Sequence, residues 1–410
     1  MIVRLINMRE KSILFICYWG INDPLTRSVV LPHIKILLQI KSIAKVVLVT
    51  IERDQHRGRL PQNLIQEQNL LHHPVYSYNL SHSFFNKILD FILFPKEIKR
   101  LIKQEKIDYL VASGAMAGAL ANKVAKSLHI PFYIVFEPHA QNMLEAGEWS
   151  KYGIKYIIQR KWEKEQHEKA AGLILVSKAF KNEIASLRPK IAVQHFGNFV
   201  SLAKFQFSLQ HRDHIREQLN GRGATIGIYV GKYGGLYYTE EAFAIYKRCF
   251  SLIPDFRLII LSPQEQRKIQ QQLQRQQIDT SKVFVAAVPH EEVPQYLSAA
   301  DFGFATYKPG PSKKYLSPVK IGEYWANGLP VLLTEGVGDD SDIIQNEGGG
   351  ATFNLQQEGS VDKAIGKILQ IIQNPNHRQE IPELAKKYRS PERVREAYEY
   401  FFGQQGEDKG

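Results

Sequence analysis

The sequence is poor in cysteine and lacks long apolar runs. Only Cys17 and Cys249 occur in 410 residues, neither with a partner at metal or redox spacing. A disulfide framework and a zinc site are therefore not expected, and a reducing, cytoplasmic compartment fits. No segment approaches the roughly 18 uninterrupted apolar residues of a spanning helix, and the run from Ile13 to Cys17 is too short for a signal-peptide core. Basic residues form no long block and no recognisable nucleic-acid module, so nucleic acid is a weak candidate partner. What is present is a net charge of +12, from 53 Lys+Arg against 41 Asp+Glu, which implies attraction to something anionic. With 44% hydrophobic residues the chain can bury two or three cores at roughly 150 residues per domain.

Short β-branched and aromatic runs alternate with amphipathic stretches, the pattern of parallel strands joined by crossover helices. Strands are expected at Ser12 to Tyr18, Lys45 to Ile51, Asp108 to Ala112, Phe132 to Phe136 and Gly172 to Ser177. A second series is expected at Thr225 to Val230, Arg257 to Leu261, Lys282 to Ala286, Phe302 to Thr306 and Pro330 to Thr334. The apolar rhythm breaks between Asn198 and Gly223. The expected organisation is an N-terminal domain over 1–198, a linker over 199–223, a C-terminal domain over 224–380, and a helix and tail over 381–410 packing back on the first domain. The fold class is α/β, with two tandem doubly wound domains. Ligands in such folds bind outside the carboxyl ends of the strands.

The strongest chemical signal lies between Ser317 and Val331. Ser317 is a good N-cap and Pro318 suits a first helical position, so a helix should begin there. Gly328 and Pro330 should stop it. The free amides around Val319 and Lys320, with the Lys320 side chain, would make a pocket for a diphosphate. Glu323, one turn further on, would project from the same face and accept hydrogen bonds from two ribose hydroxyls.

These residues resemble the retaining family 4 (group 1) glycosyltransferases of the GT-B fold. In that family a helix of the second domain presents a glutamate to the donor ribose and ends in Gly-x-Pro-Val; Glu323 and Gly328-Leu329-Pro330-Val331 match in register. The family's other glutamate, eight positions earlier, falls on Tyr315. The form seen here, Pro-x-Lys-x-x-Glu-Tyr, is similar to a subgroup in which the lysine and neighbouring amides take over donor contacts. Family members also open the second domain with a strand ending in Gly-Lys or Gly-Arg, matched by Gly231-Lys232, while their second cation finds no equivalent near Leu236 to Tyr238. The first loop, Tyr18 to Ser28, resembles the family's donor-facing loop with Thr26 in place of a glycine. His139, in the loop from Phe136 to Glu145, matches a histidine that contacts the donor sugar near the anomeric carbon, with Glu137 beside it.

The resemblance implies a nucleotide-diphosphate-sugar donor bound in a cleft between two Rossmann-like domains, on Gly231, Lys232, Ser317, Pro318, Val319, Lys320 and Glu323. It implies catalytic roles for His139, Lys232 and Lys320, retention of configuration, no metal and no cofactor beyond the donor. Backbone around Val288 to Glu291 would meet the base. The acceptor would be a saccharide, lipid-linked or other hydroxyl, in glycan or glycoconjugate synthesis.

Other readings stand beside these. Lys320 and Glu323 could be a surface ion pair, His139 a loop histidine, Asp23 a turn former, and Gly231-Lys232 only a strand exit. Asp301 reads as a brace of its turn, Ser113 to Gly118 as close helix packing, and Asp339-Asp340 as a helix start without metal. The run Phe84 to Phe94, followed by Lys96, Lys99, Arg100, Lys103 and Lys106, reads either as a peripheral contact with an anionic membrane or as a core-facing helix followed by a solvated one. Two other functions fit the same architecture: a nucleotide-sugar epimerase, and a partner subunit that binds donor without turning it over.

Overall fold

The computed structural model describes residues 10–23, 26–53, 67–77, 83–136 and 139–403. The chain divides into two compact units. The first comprises Met1–Ala140, Lys151–Phe196 and Pro391–Gly410, and the second Gln141–Ser150 and Gly197–Ser390.

Among the described residues, the first unit is built on a seven-stranded parallel sheet. Its strands are β1 (Lys11–Cys17), β2 (Ile43–Glu52), β3 (Leu70–Tyr76), β4 (Tyr109–Ser113), β5 (Phe132–Phe136), β6 (Gly172–Leu175) and β7 (Ala192–His195). The order is β3-β2-β1-β4-β5-β6-β7. Central strands such as β1 read as near-continuous apolar runs because helices cover both faces. The helix Gly114–Leu128 packs so closely that a Cβ on Gly118 would lie 2.1 Å from the Gln166 side chain. Close packing, rather than phosphate binding, therefore explains the small residues from Ser113 to Gly118. The helix Ser83–Gln104 is continuous through Pro95, and it buries Phe94, Ile98, Leu101 and Ile102 in the core. One helix thus spans both parts of the segment, and its basic part, expected to be solvated under the second alternative, also faces the core.

The second unit has a six-stranded parallel sheet, ordered β10-β9-β8-β11-β12-β13. The strands are β8 (Thr225–Val230), β9 (Phe256–Leu261), β10 (Val283–Ala286), β11 (Phe302–Ala305), β12 (Val331–Thr334) and β13 (Gly350–Phe353). The strand order reverses between β8 and β11, so the loops leaving these two strands flank a topological switch point. The segment expected as a linker contains a helix, Leu209–Gln218, and lies inside this unit. Two of its arginines anchor it: Asp301 accepts from Arg212 at 2.8 Å, from Arg216 at 2.6 Å and from the Ile226 amide at 2.8 Å. Asp301 thus braces its turn, and these cations hold its carboxyl below the usual range despite burial. The terminal segment is two helices broken at Ser390. His377–Arg389 belongs to the second unit and Pro391–Phe402 to the first.

Candidate functional site

At the β8–β11 switch point, two loops pair with each other. Tyr237 and Tyr307 form an isolated antiparallel bridge, and the Lys308 amide donates to the Leu236 carbonyl at 2.9 Å. The β8 exit carries Gly231, Gly234 and Gly235, all at positive φ, which lets the chain turn tightly over the strand ends.

The helix Val319–Ala326 enters this place. Its N-cap is Pro318, with ψ 121°, and no side chain caps it. Ser317 is not the cap. Its hydroxyl accepts from the Asn198 amide at 2.8 Å and from Arg389, which also pairs with the buried Asp340. Tertiary partners have captured the hydroxyl that local capping would have used, and the helix starts one residue later than expected. Asp339 and Asp340 do start a helix, Asp340–Glu347, with Asp339 as its N-cap.

Lys320, on the first turn, is enclosed by aromatic rings. Its Nζ lies 4.4 Å from the Tyr237 ring centroid, 4.8 Å from Tyr229 and 5.7 Å from Tyr307. This ammonium is buried and has no hydrogen-bond partner in the protein. Burial pulls it down to about 7, against an opposing pull from Glu323. The stretch where the resembling family carries a second cation is aromatic here, and Tyr237 forms one wall of the cage. Gly231 is packed against the same ammonium: a Cβ there would lie 2.9 Å from Nζ, and φ is +138°. Lys232 is exposed, and its carbonyl accepts from the Tyr229 hydroxyl.

Glu323 is buried one turn on and accepts a hydrogen bond from His290 at 2.8 Å. Lys204 lies 3.1 Å from the other ring nitrogen of His290. An ammonium only donates, so Nδ1 must accept and Nε2 must carry the proton given to Glu323. This chain of three residues, Lys204, His290 and Glu323, had no signal in the sequence. Tyr324, one turn beyond Lys320, is fully buried, and its hydroxyl accepts from the Val230 amide at 3.0 Å. The structure therefore brings Gly231, Val319, Lys320 and Glu323 together, turns Ser317 away, and leaves Tyr315 on a separate single turn, Lys313–Tyr315.

Residues 225–374 match the family model described as Glycosyl transferases group 1. No curated protein matches the sequence. The fold is similar to that of Anabaena HepE in complex with UDP-glucose, at 14% identity and TM-score 0.68, covering 95% of this chain and 99% of that one. It is similar also to sucrose-phosphate synthase from Thermosynechococcus elongatus, at 15% identity and TM-score 0.70, covering 97% and 100%. The lipopolysaccharide outer core galactosyltransferase WaaB in its apo form gives 14% identity and TM-score 0.63, covering 95% and 98%. Residues 225–374 thus carry the group 1 glycosyl transferase match, and the chain as a whole has the two-sheet GT-B fold of these structures.

In the first unit, His139 opens the helix His139–Glu145. The buried Glu163 accepts from the His139 amide at 3.1 Å and the Ala140 amide at 2.8 Å, holding the helix start in place. Desolvation pushes the Glu163 carboxyl up. In the first loop the Ile21 amide donates to Glu52 at 2.9 Å, and Arg53 lies 4.5 Å over the Tyr18 ring. Thr26 is buried, 3.4 Å from Cys17 Sγ. Asp23 sits in a turn, its carbonyl accepting from the Arg27 amide at 3.0 Å. Pro24, Leu25 and Glu137 lie outside the described residues.

Proposed function

We propose that this protein is a glycosyltransferase that moves a hexose-like sugar from a nucleotide-diphosphate-sugar to an acceptor hydroxyl, with retention and without a metal ion, in glycan or glycoconjugate synthesis. The observation that carries the reading is Lys320, a buried ammonium without a hydrogen-bond partner at the start of the helix whose next turn holds Glu323. A buried cation left unpaired is costly, and a ligand diphosphate would satisfy it.

Breaking the anomeric bond places negative charge on the leaving diphosphate. In this reading Lys320 and the amides of Val319 and Lys320 are fixed before the reaction, so they stabilise that charge without reorganising, and the exposed Lys232 adds a second cation. The tyrosine walls keep water away from Lys320 and so strengthen its field. Glu323, with one oxygen taken by His290, offers its other oxygen to a ribose hydroxyl. His139 is assigned to the donor sugar at the transfer step, as the resemblance implies. Retention would follow from attack on the face the diphosphate leaves, with the leaving phosphate taking the acceptor proton.

The test is a thermal-shift and calorimetry panel of UDP, GDP, ADP and their sugars, beginning with UDP-glucose because HepE was captured with it. Glu323→Ala is expected to weaken donor binding by about ten-fold or more, the worth of hydrogen bonds to a carboxylate, whereas His139→Ala should mainly slow transfer. Equal donor affinity in wild type and the Glu323 variant removes that residue from the site. Free nucleoside diphosphate should appear only when an acceptor is present. Interconversion of the donor sugar without acceptor would instead mark an epimerase, and binding without turnover a partner subunit.

A further inference from the structure

Glu323 is held by residues far from it in the chain. His290, in the turn that follows β10, donates to its Oε1 at 2.8 Å. Lys204 lies 3.1 Å from Nδ1 of the same ring, so the tautomer with its proton on Nε2 is the one that satisfies both neighbours. The turn that carries Lys204 is itself tied to the helix of Glu323. Asn327, the C-cap of Val319–Ala326, donates to the Phe205 carbonyl at 3.0 Å, and the buried Phe205 ring lies 5.5 Å from the His290 ring. These contacts close a circuit that leaves the helix at Glu323, passes through His290 and Lys204, and returns to the end of the same helix. Glu291 and Glu292, next along the chain from His290, are exposed, and the group facing Nδ1 is the Lys204 ammonium.

The circuit decides what Glu323 can offer a ligand. Its carboxylate is buried, and among the described residues its side chain receives one hydrogen bond, that of His290. A ribose presents two neighbouring hydroxyls, and a carboxylate open at both oxygens takes them together, one on each. With Oε1 engaged, one oxygen is left. The tautomer matters as much as the contact: with the proton on Nδ1 instead, the ring would turn a lone pair towards Glu323 and repel it. We propose that His290, locked in its tautomer by Lys204, is a positioning residue that restricts Glu323 to one of the two ribose hydroxyls. The nucleotide site therefore demands one hydroxyl and tolerates loss of the other. This rests on the assignment of Glu323 to the donor ribose made above.

The test is calorimetry on the full chain with whichever of UDP, GDP and ADP the wild type binds most tightly, and with the 2′-deoxy and 3′-deoxy forms of that nucleotide. One deoxy form is expected to bind about ten-fold or more weaker than the parent, the worth of a hydrogen bond to a carboxylate, and the other within about three-fold. The ratio of the two deoxy affinities is the readout, because a general loss of stability moves both alike. His290→Phe keeps a ring against Phe205 but has no N–H, so Oε1 is released and the ratio should fall towards one. His290→Gln, whose amide still donates, should retain most of it. Lys204→Met frees the other tautomer and should narrow the ratio as well. His290 and Lys204 meet at the surface, so an unchanged thermal transition serves as the control. A wild-type ratio of one, a wild-type ratio kept in either His290→Phe or Lys204→Met, or a ratio lost equally in His290→Gln and His290→Phe would overturn the proposal. If Glu323→Ala weakens the parent nucleotide while the wild-type ratio is one, the ribose assignment stands and the role of His290 falls. If Glu323→Ala binds the parent as tightly as wild type does, the ribose assignment falls and takes the role of His290 with it.

Discussion

Lys320 shows how a few ångströms of packing set the chemistry of one group. Its ammonium sits over tyrosine faces, which attract a cation, yet the same enclosure removes water, and desolvation wins: the group falls to about 7. Tyr229, Tyr307 and Tyr324 are pushed far up by burial, so they stay neutral when Lys320 titrates. A diphosphate arriving beside the amine favours its charged form and raises it again. Below about pH 7 the lysine is charged before and after binding, and affinity does not change with pH. Above that, binding must take up a proton, and affinity should fall by up to ten-fold per pH unit. The diphosphate of a UDP-hexose has no titration of its own in this range, so calorimetry from pH 6 to 9 isolates the lysine. Lys320→Arg should remove the slope, because arginine remains charged throughout; a slope unchanged in that variant places the titration elsewhere. The sequence alone puts Lys320 and Glu323 on one helical face through their spacing. It could not show the cage or His290, because Tyr229, Tyr237, Tyr307 and His290 come from four separate segments that only folding brings together.

The helix that presents these two residues has eight residues, so its end matters as much as its start. The Gly328 amide donates to Trp325 at 2.9 Å and the Leu329 amide to Tyr324 at 2.9 Å, the paired bonds of a Schellman stop. Gly328 has φ +79°, and a Cβ there would lie 2.8 Å from the Arg378 carbonyl oxygen. Backbone cannot move aside as a side-chain tip can. Gly328→Ala should therefore destabilise the second unit by about 1–3 kcal/mol, read as a lower urea midpoint, and loosen the donor helix with it. An unchanged midpoint would mean the stop is not needed. That stop was readable in Gly-x-Pro-Val, and so were ten of the strands. The three strands not anticipated, β3, β7 and β13, are all edge strands in the sheet orders. One side of an edge strand is unpaired, so β3 tolerates two histidines and Pro74, and β7 is a half-buried run of four residues. Such strands lack the continuous apolar run that exposes a central one.

At the scale of the whole chain, sequence order and spatial units do not coincide. The polypeptide passes from one unit to the other after Ala140, Ser150, Phe196 and Ser390. The helix Pro391–Phe402 is the last of the described elements, yet it completes the core of the first unit, burying Val394, Tyr398 and Phe402. The Tyr398 hydroxyl lies 2.7 Å from Nδ1 of His33, a histidine only 2% exposed. Burial holds His33 down at about 3 and His167, in the same unit, at about 4, against an ordinary 6.5. Both are neutral when folded, so their contribution is complete above pH 6.5. As pH falls below that, the unfolded chain binds protons that the folded unit refuses, and stability drops by up to about 1.4 kcal/mol per pH unit for each histidine. The urea midpoint of the first unit, followed by hydrogen exchange of its sheet amides, should therefore fall between pH 6.5 and 4.5. Replacing both members of the buried pair, His33→Phe with Tyr398→Phe, removes one titrating group without stranding its partner. That variant should show a shallower slope than wild type, because His33 no longer contributes to it. A wild-type midpoint that stays level across this range would mean that these histidines titrate alike folded and unfolded, and that the last helix does not seal the first unit's core as its buried residues indicate.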